Sequence, residues 1–110
     1  MKMYTIDGAL LTERPEIRLG DKVYPVDDRK STFDRVAKRS DGADRGDLQV
    51  MDDVLKMTLG EDAAEEIAAM DLPFPAYMRL FETVMAVITG ETPEDVARRF
   101  QGGKTDLHAI

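Results

Sequence analysis

His108 is the one histidine of the chain, and it lies in the C-terminal stretch Gln101 to Ile110 with no cysteine anywhere and no acidic cluster beside it. Metal ligation and general-base work need several groups held in fixed geometry, so an isolated imidazole offers neither. The carboxylates come in adjacent pairs, Asp27-Asp28, Asp52-Asp53, Glu61-Asp62 and Glu65-Glu66. Neighbours on a helix point in different directions, and no Asp/Asn/Gly loop of the calcium-binding kind follows them. They read as a solvated acidic face. Arg45-Gly46-Asp47 matches a cell-adhesion tripeptide, but it is described more simply as a loop glycine followed by a helix cap. Gly102-Gly103-Lys104 lacks the spaced first glycine and the following Ser or Thr of a phosphate loop. Without a thiolate, a nucleophile-base pair or a ligand cluster, the chain is expected not to be an enzyme, and no metal or cofactor is implied.

Composition narrows the class further. The 110 residues have room for one domain with one modest core. Hydrophobic residues make up 43% and charged residues 34%, a balance that suits a folded chain better than a disordered one. The formal net charge of -7 opposes binding to nucleic-acid phosphates or anionic lipids, so a basic or neutral protein is the expected partner. No stretch approaches the ~20 apolar residues of a membrane span, and Met1 to Asp7 lacks the apolar core of a signal peptide. The product is expected to stay in solution where it is made.

The elements that would carry any surface follow from periodicity and punctuation. Met1 to Leu11 alternate poorly and read as a short strand or extended arm, with Tyr4 and Ile6 facing inward and Asp7-Gly8 as a turn. Two alternating runs, Glu16 to Leu19 and Lys22 to Val26, are joined by Gly20-Asp21, which suits a primed hairpin turn. Leu19 should pair with Lys22 and Ile17 with Tyr24, so that Ile17, Leu19, Tyr24 and Val26 rest on helices. Pro25 marks an edge strand. Ser31 or Thr32 should cap a helix running through Phe33, Val36 and Ala37 to about Arg39. Residues 41–46 read as the main loop. Asp47 should cap a helix presenting Leu48, Met51, Val54, Leu55 and Leu59 and ending at Gly60. A third helix from Glu61, acidic in its first turn, should bury Ala64, Ile67, Ala68 and Met70. Pro73 and Pro75 force a break. A fourth helix then runs to Gly90, and Thr92 and Pro93 open a short last helix ending near Phe100, followed by a mobile tail, 101–110.

These elements predict an α+β fold: an N-terminal β-hairpin followed by a mainly α-helical bundle of about five helices, as a single domain spanning 1–110. Residues 1–40 hold the hairpin and first helix, 41–46 the loop and 47–100 the helical half. The best-patterned block is Gly60 to Gly90, where Tyr77, Leu80, Phe81, Val84, Met85 and Ile88 recur at helical spacing on one face. Met78 and Val87 lie off that stripe and give the helix a second apolar edge, which in a small protein usually meets another chain. Methionine also adapts its shape at binding surfaces. From amphipathicity, the candidate contact residues are Met78, Leu80, Val84, Val87 and Ile88, some of which must be core.

The half from Asp47 to Phe100 resembles the tail assembly chaperones of long-tailed bacteriophages. The resemblance rests on Leu59-Gly60-Glu61-Asp62-Ala63-Ala64-Glu65-Glu66-Ile67, which leads through Leu72-Pro73 into Tyr77 to Thr89 and then Gly90-Glu91-Thr92-Pro93-Glu94. It implies a non-enzymatic protein of phage or prophage origin that binds the tape measure protein and helps recruit tail tube subunits. It would act in the cytoplasm of the bacterial host and be absent from the mature virion. It also implies that Gly102-Gly103-Lys104 overlies a ribosomal frameshift site. Self-association is left open. Two alternatives stand beside this reading: a small head-tail or tail completion protein retained in the virion, and an acidic regulator that binds a host protein or mimics nucleic acid.

Overall fold

A two-residue turn sets the first piece of structure. The computed structural model of the chain describes residues 2–43, 47–96 and 98. Strands β1 (Glu16–Leu19) and β2 (Lys22–Pro25) pair antiparallel, with Leu19 opposite Lys22 and Ile17 opposite Tyr24, the expected register. Gly20 has φ 62° while Asp21 has no positive φ, the sign pattern of a II′ turn, which asks for glycine first. Alternation then turns Ile17 and Tyr24 inward, followed by Val26, and all three are buried. Leu19 packs against the same core. The Val26 amide donates to the Pro15 carbonyl at 2.9 Å, and the Asp27 amide donates to the Thr58 carbonyl at 2.8 Å. A lone hairpin is marginal in water; this one is held by helices on its apolar face.

The segment before the hairpin differs from expectation. Residues 2–7 form no strand, and Gly8–Thr12 make a single short helix, α1. Tyr4 and Ile6 do not face inward but are 87% and 64% exposed. No partner strand is described for this arm, and residues 2–7 are exposed.

After the hairpin comes α2 (Lys30–Ser40). It starts ahead of the expected cap. Arg29 occupies the N-cap position and no side chain caps the helix, while Thr32 points inward, fully buried with Val36. The neighbouring polar work falls to Asp27, whose carboxylate accepts from the Arg29 amide at 3.2 Å and from its guanidinium at 2.9 and 2.8 Å. Helix α3 (Leu48–Leu59) follows the expected cap: Asp47 Oδ1 accepts from the amides of Gln49 and Val50 at 3.0 and 3.3 Å. Replacing such a cap by alanine costs about 0.5–2 kcal/mol. Asp47→Ala should therefore lower the urea midpoint clearly, whereas Ser31→Ala, on an exposed residue that caps nothing, should stay within about 0.5 kcal/mol of the parent.

Gly60 ends α3 and begins α4 (Glu61–Met70) in one residue: its amide donates to the Lys56 carbonyl and its carbonyl accepts from Ala64, both at 3.0 Å. Asp71 closes α4 in the left-handed region, φ 50° and ψ 58°, a conformation that aspartate tolerates better than most residues. Helix α5 (Phe74–Thr89) has Pro73 at its N-cap and Pro75 in its first turn, and Gly90 ends it at φ 78° and ψ 8°. A further helical turn at residues 93–96 is capped by Thr92 Oγ1, which accepts from the Asp95 amide at 3.1 Å. It buries Val96 completely.

One hydrophobic cluster joins Ile17, Tyr24 and Val26 of the hairpin region to Val36 of α2, Val54 and Leu55 of α3, Ile67 of α4, and Leu80, Phe81 and Val84 of α5. Helix α3 sits at its centre, against α2, α4 and α5, while α5 also packs on β1. The architecture is the α+β arrangement expected, with one small helix ahead of the hairpin. No helix among the described residues is long and apolar enough to cross a membrane. The expectations for Arg45-Gly46, the helix end near Phe100, Gly102-Gly103-Lys104, His108 and the tail lie outside the described residues.

Candidate protein-binding groove

Three of the five expected contact residues belong to the core. Val84 is fully buried, and Leu80 and Ile88 are 5% and 8% exposed, so they are corrected from contact surface to packing. Their spacing is that of the stripe facing β1 and α3, and those elements cover it. Met78 and Val87 are partly buried against the same cluster. They border the stripe rather than forming a separate free face. Beside Met78, the Arg79 guanidinium lies 3.8 Å from the Glu94 carboxylate.

The open apolar surface is elsewhere, along α3, α4 and the start of α5. A hollow of about 370 Å³ has Leu55, Ala64, Ile67 and Ala68 among its lining residues. A second hollow of about 250 Å³ shares Asp52, Ile67, Ala68 and Tyr77 with it and continues past Leu72 to Leu48 and Phe74. Leu48 and Phe74 are 50% and 52% exposed. The groove exists because α4 presents small side chains toward α3: Ala68 and Met70, expected to be buried, are exposed, and only Ile67 of α4 is fully inside. Leu48, expected on the inner side of α3, sits at the open end instead.

Charge surrounds this floor unevenly. Asp52, Glu65 and Asp71 border the two hollows, against the single cation Lys56. The Tyr77 hydroxyl donates to Asp52 across the groove. Burial and that hydrogen bond hold the Tyr77 phenol well above its ordinary range, so it is a neutral donor at any physiological pH. On the far side of α4, Glu66 accepts from Lys22 and, at 2.9 Å, from the Tyr24 hydroxyl. These bonds pull the Glu66 carboxyl below its usual range and tie the groove's outer wall to the hairpin. At the other side of α3, Arg39 Nε donates to Asp53 at 2.7 Å and holds that carboxyl low as well. Comparison of the chain with protein-family models, curated proteins and solved structures finds no match. The groove is therefore read from its own chemistry.

Sequence reasoning missed Phe74 and Leu48. A signal was present for both. Phe74 lies between two prolines in the first turn of its helix, before the stripe beginning at Tyr77, and Leu48 directly follows a cap. Side chains that early in a helix have few neighbours of their own.

The carboxylates give the fold a predictable acid response. Asp27, held low first by Arg29, joins Asp53 and Glu66 in having a folded-state pKa below its unfolded value. Each contributes stability that is fully present above the unfolded carboxylate range near pH 4 and is lost as pH falls through the folded value. The urea midpoint should thus drop once the pH passes below about 4. A midpoint that rises on acidification through that window would contradict these pairings, and Asp53→Asn should remove part of the drop.

Proposed function

We propose that this chain is a non-enzymatic binding protein whose α3-α4-α5 groove shields an apolar helical segment of a client protein. The observation that carries the reading is the groove itself, an apolar floor open to solvent at Leu48 and Phe74 and rimmed by Asp52, Glu65 and Asp71. Helix-in-groove recognition needs an apolar trough for the side chains at i, i+3 and i+4 of the guest and charges that set its direction. An acidic rim favours a guest whose apolar stripe is flanked by Lys or Arg, and it discriminates against acidic helices. Among the described residues no group of three His, Cys, Asp or Glu could hold a metal ion, and Asp52 of the rim accepts from the Tyr77 hydroxyl.

The finer reading comes from the resemblance of Asp47 to Phe100 to phage tail assembly chaperones. On it, the client is the tape measure protein, tail tube subunits are recruited next, and the protein works in the host cytoplasm and leaves before the virion is finished. A long helical client of this kind carries apolar stripes that aggregate when unshielded, which is the need the groove would meet.

The test is co-expression with a tape measure protein encoded beside this gene, followed by co-purification. The expected result is a soluble complex that Ala68→Leu weakens at least tenfold, because the larger side chain fills the trough. Its exposed position leaves the fold intact, which circular dichroism checks. A tape measure protein that is soluble alone and never co-purifies would overturn the client assignment. Unchanged affinity in Ala68→Leu would overturn the groove.

A further inference from the structure

Apart from Val23 and Phe33, the large apolar side chains left in solvent among the described residues lie in two places. Met3, Tyr4, Ile6 and Leu11 project from the segment ahead of the hairpin, and Leu48 and Phe74 line the open end of the groove, with Met70 next to its rim residue Asp71. An apolar arm and an unfilled apolar trough in one chain are complementary surfaces. We propose that the groove of one copy receives the N-terminal arm of a second copy, giving a dimer by reciprocal arm exchange in which arm and client compete for the same trough.

The arm has the pattern for this. In an extended chain alternate residues share a face, so Lys2, Tyr4 and Ile6 point one way, about 7 Å apart. The two adjoining hollows offer room for two successive side chains at the floor, and the acids Asp52, Glu65 and Asp71 that border them are opposite in charge to the Lys2 ammonium. No acid occurs in residues 2–6 to oppose that rim.

The fold favours a second copy over the chain's own arm. The arm joins the hairpin through α1 and residues 13–15, and the hairpin is bound to Glu66 of α4. At about 100° per residue, Ala64 and Ala68, which line the hollow, lie nearly opposite Glu66 on that helix. The hairpin therefore holds the side of α4 away from the groove, and it is to the hairpin that the arm is tethered. In a two-fold pair each arm fills the other copy's groove, and the contact closes upon itself without leaving a sticky end.

The inference rests on the groove being a binding surface, and not on who the client is. Its test places the photo-crosslinking residue p-benzoylphenylalanine at position 6 of the full chain and irradiates a mixture of isotopically light and heavy protein. The expected product is a crosslink between a light and a heavy copy, mapping to Leu48–Lys56 or to Phe74–Tyr77. Tyr4→Ser with Ile6→Ser should raise the dimer dissociation constant at least tenfold by sedimentation, with an unchanged circular dichroism spectrum. Ala68→Leu should remove the crosslink. Crosslinks confined to a single copy, crosslinks outside the groove, or a chain that stays monomeric would each overturn the arm exchange. If the crosslinks appear and no tape measure protein is captured, the exchange stands and the client assignment falls; capture by a chain that never dimerises is the reverse.

Discussion

Phe81→Ala is expected to cost about 3–5 kcal/mol of folding free energy, the usual range for emptying a buried aromatic site. Phe81 is 5% exposed and belongs to the cluster that links the hairpin, α3 and α5. Domains of this size have a total stability of about 5–15 kcal/mol, so the variant loses roughly a fifth or more of it. Urea denaturation followed at 222 nm reads the loss directly. Phe74→Ala, one residue type and two helical turns away, should behave differently. At 52% exposure it gives up little packing, and its cost should stay under about 1 kcal/mol. The two variants separate what α5 does for the fold from what its first turn does for binding: Phe81→Ala should unfold the protein on mild heating, while Phe74→Ala should stay folded and lose affinity at the groove. Equal losses of stability would mean that Phe74 is packed, and the open end of the groove would not exist.

The second large effect is expected at Gly60. Its φ of 95° and ψ of 159° fall in a region that residues with a Cβ scarcely enter, at a cost of about 1–3 kcal/mol. A Cβ built there meets nothing within 4 Å, so the penalty belongs to the backbone alone and cannot be relieved by trimming a neighbour. Gly60→Ala and Gly60→Asn should both lose that amount. Gly90, at φ 78° and ψ 8°, occupies the left-handed helical region, where asparagine is tolerated. Gly90→Asn should therefore cost less than about 1 kcal/mol. The discriminating measurement is the asparagine pair, because a shared left-handed geometry would make the two substitutions equivalent. A Gly60→Asn variant as stable as Gly90→Asn would show that α3 and α4 meet at an ordinary cap.

Much of this fold was legible in the residues. The hairpin register followed from a period of two and a two-residue loop, since Gly20 admits only a few turn geometries and each fixes the pairing of Leu19 with Lys22. The span of α5 followed from Pro73, Pro75 and Gly90. What was not legible were features decided by partners distant in sequence. Thr32 looked like a cap and is a buried core residue, because Asp27 and Arg29 organise the approach to α2. Tyr4 and Ile6 looked like inward strand residues, yet no neighbouring strand is described to receive them. Asp71 gave no sign of its left-handed conformation. For the groove, periodicity identified an apolar face on α5 but could not say that β1 and α3 would cover Leu80, Val84 and Ile88. The free surface arose instead from an absence of bulk, at Ala64 and Ala68, which a search for large apolar residues passes over.

The position of the hairpin also imposes a schedule on synthesis. Ile17, Tyr24 and Val26 leave the ribosome early, but β1 packs on α5, which ends only at Thr89. At about 5–20 residues per second, translation leaves that apolar strand face without its native cover for roughly 3–13 s. During that interval the edge is shielded only by Pro25, the tight Gly20 turn, and the charges of Glu16, Arg18 and Lys22, which keep nascent chains from pairing strand to strand. Slowing translation after the hairpin has emerged and before α5 has should thus raise the aggregated fraction.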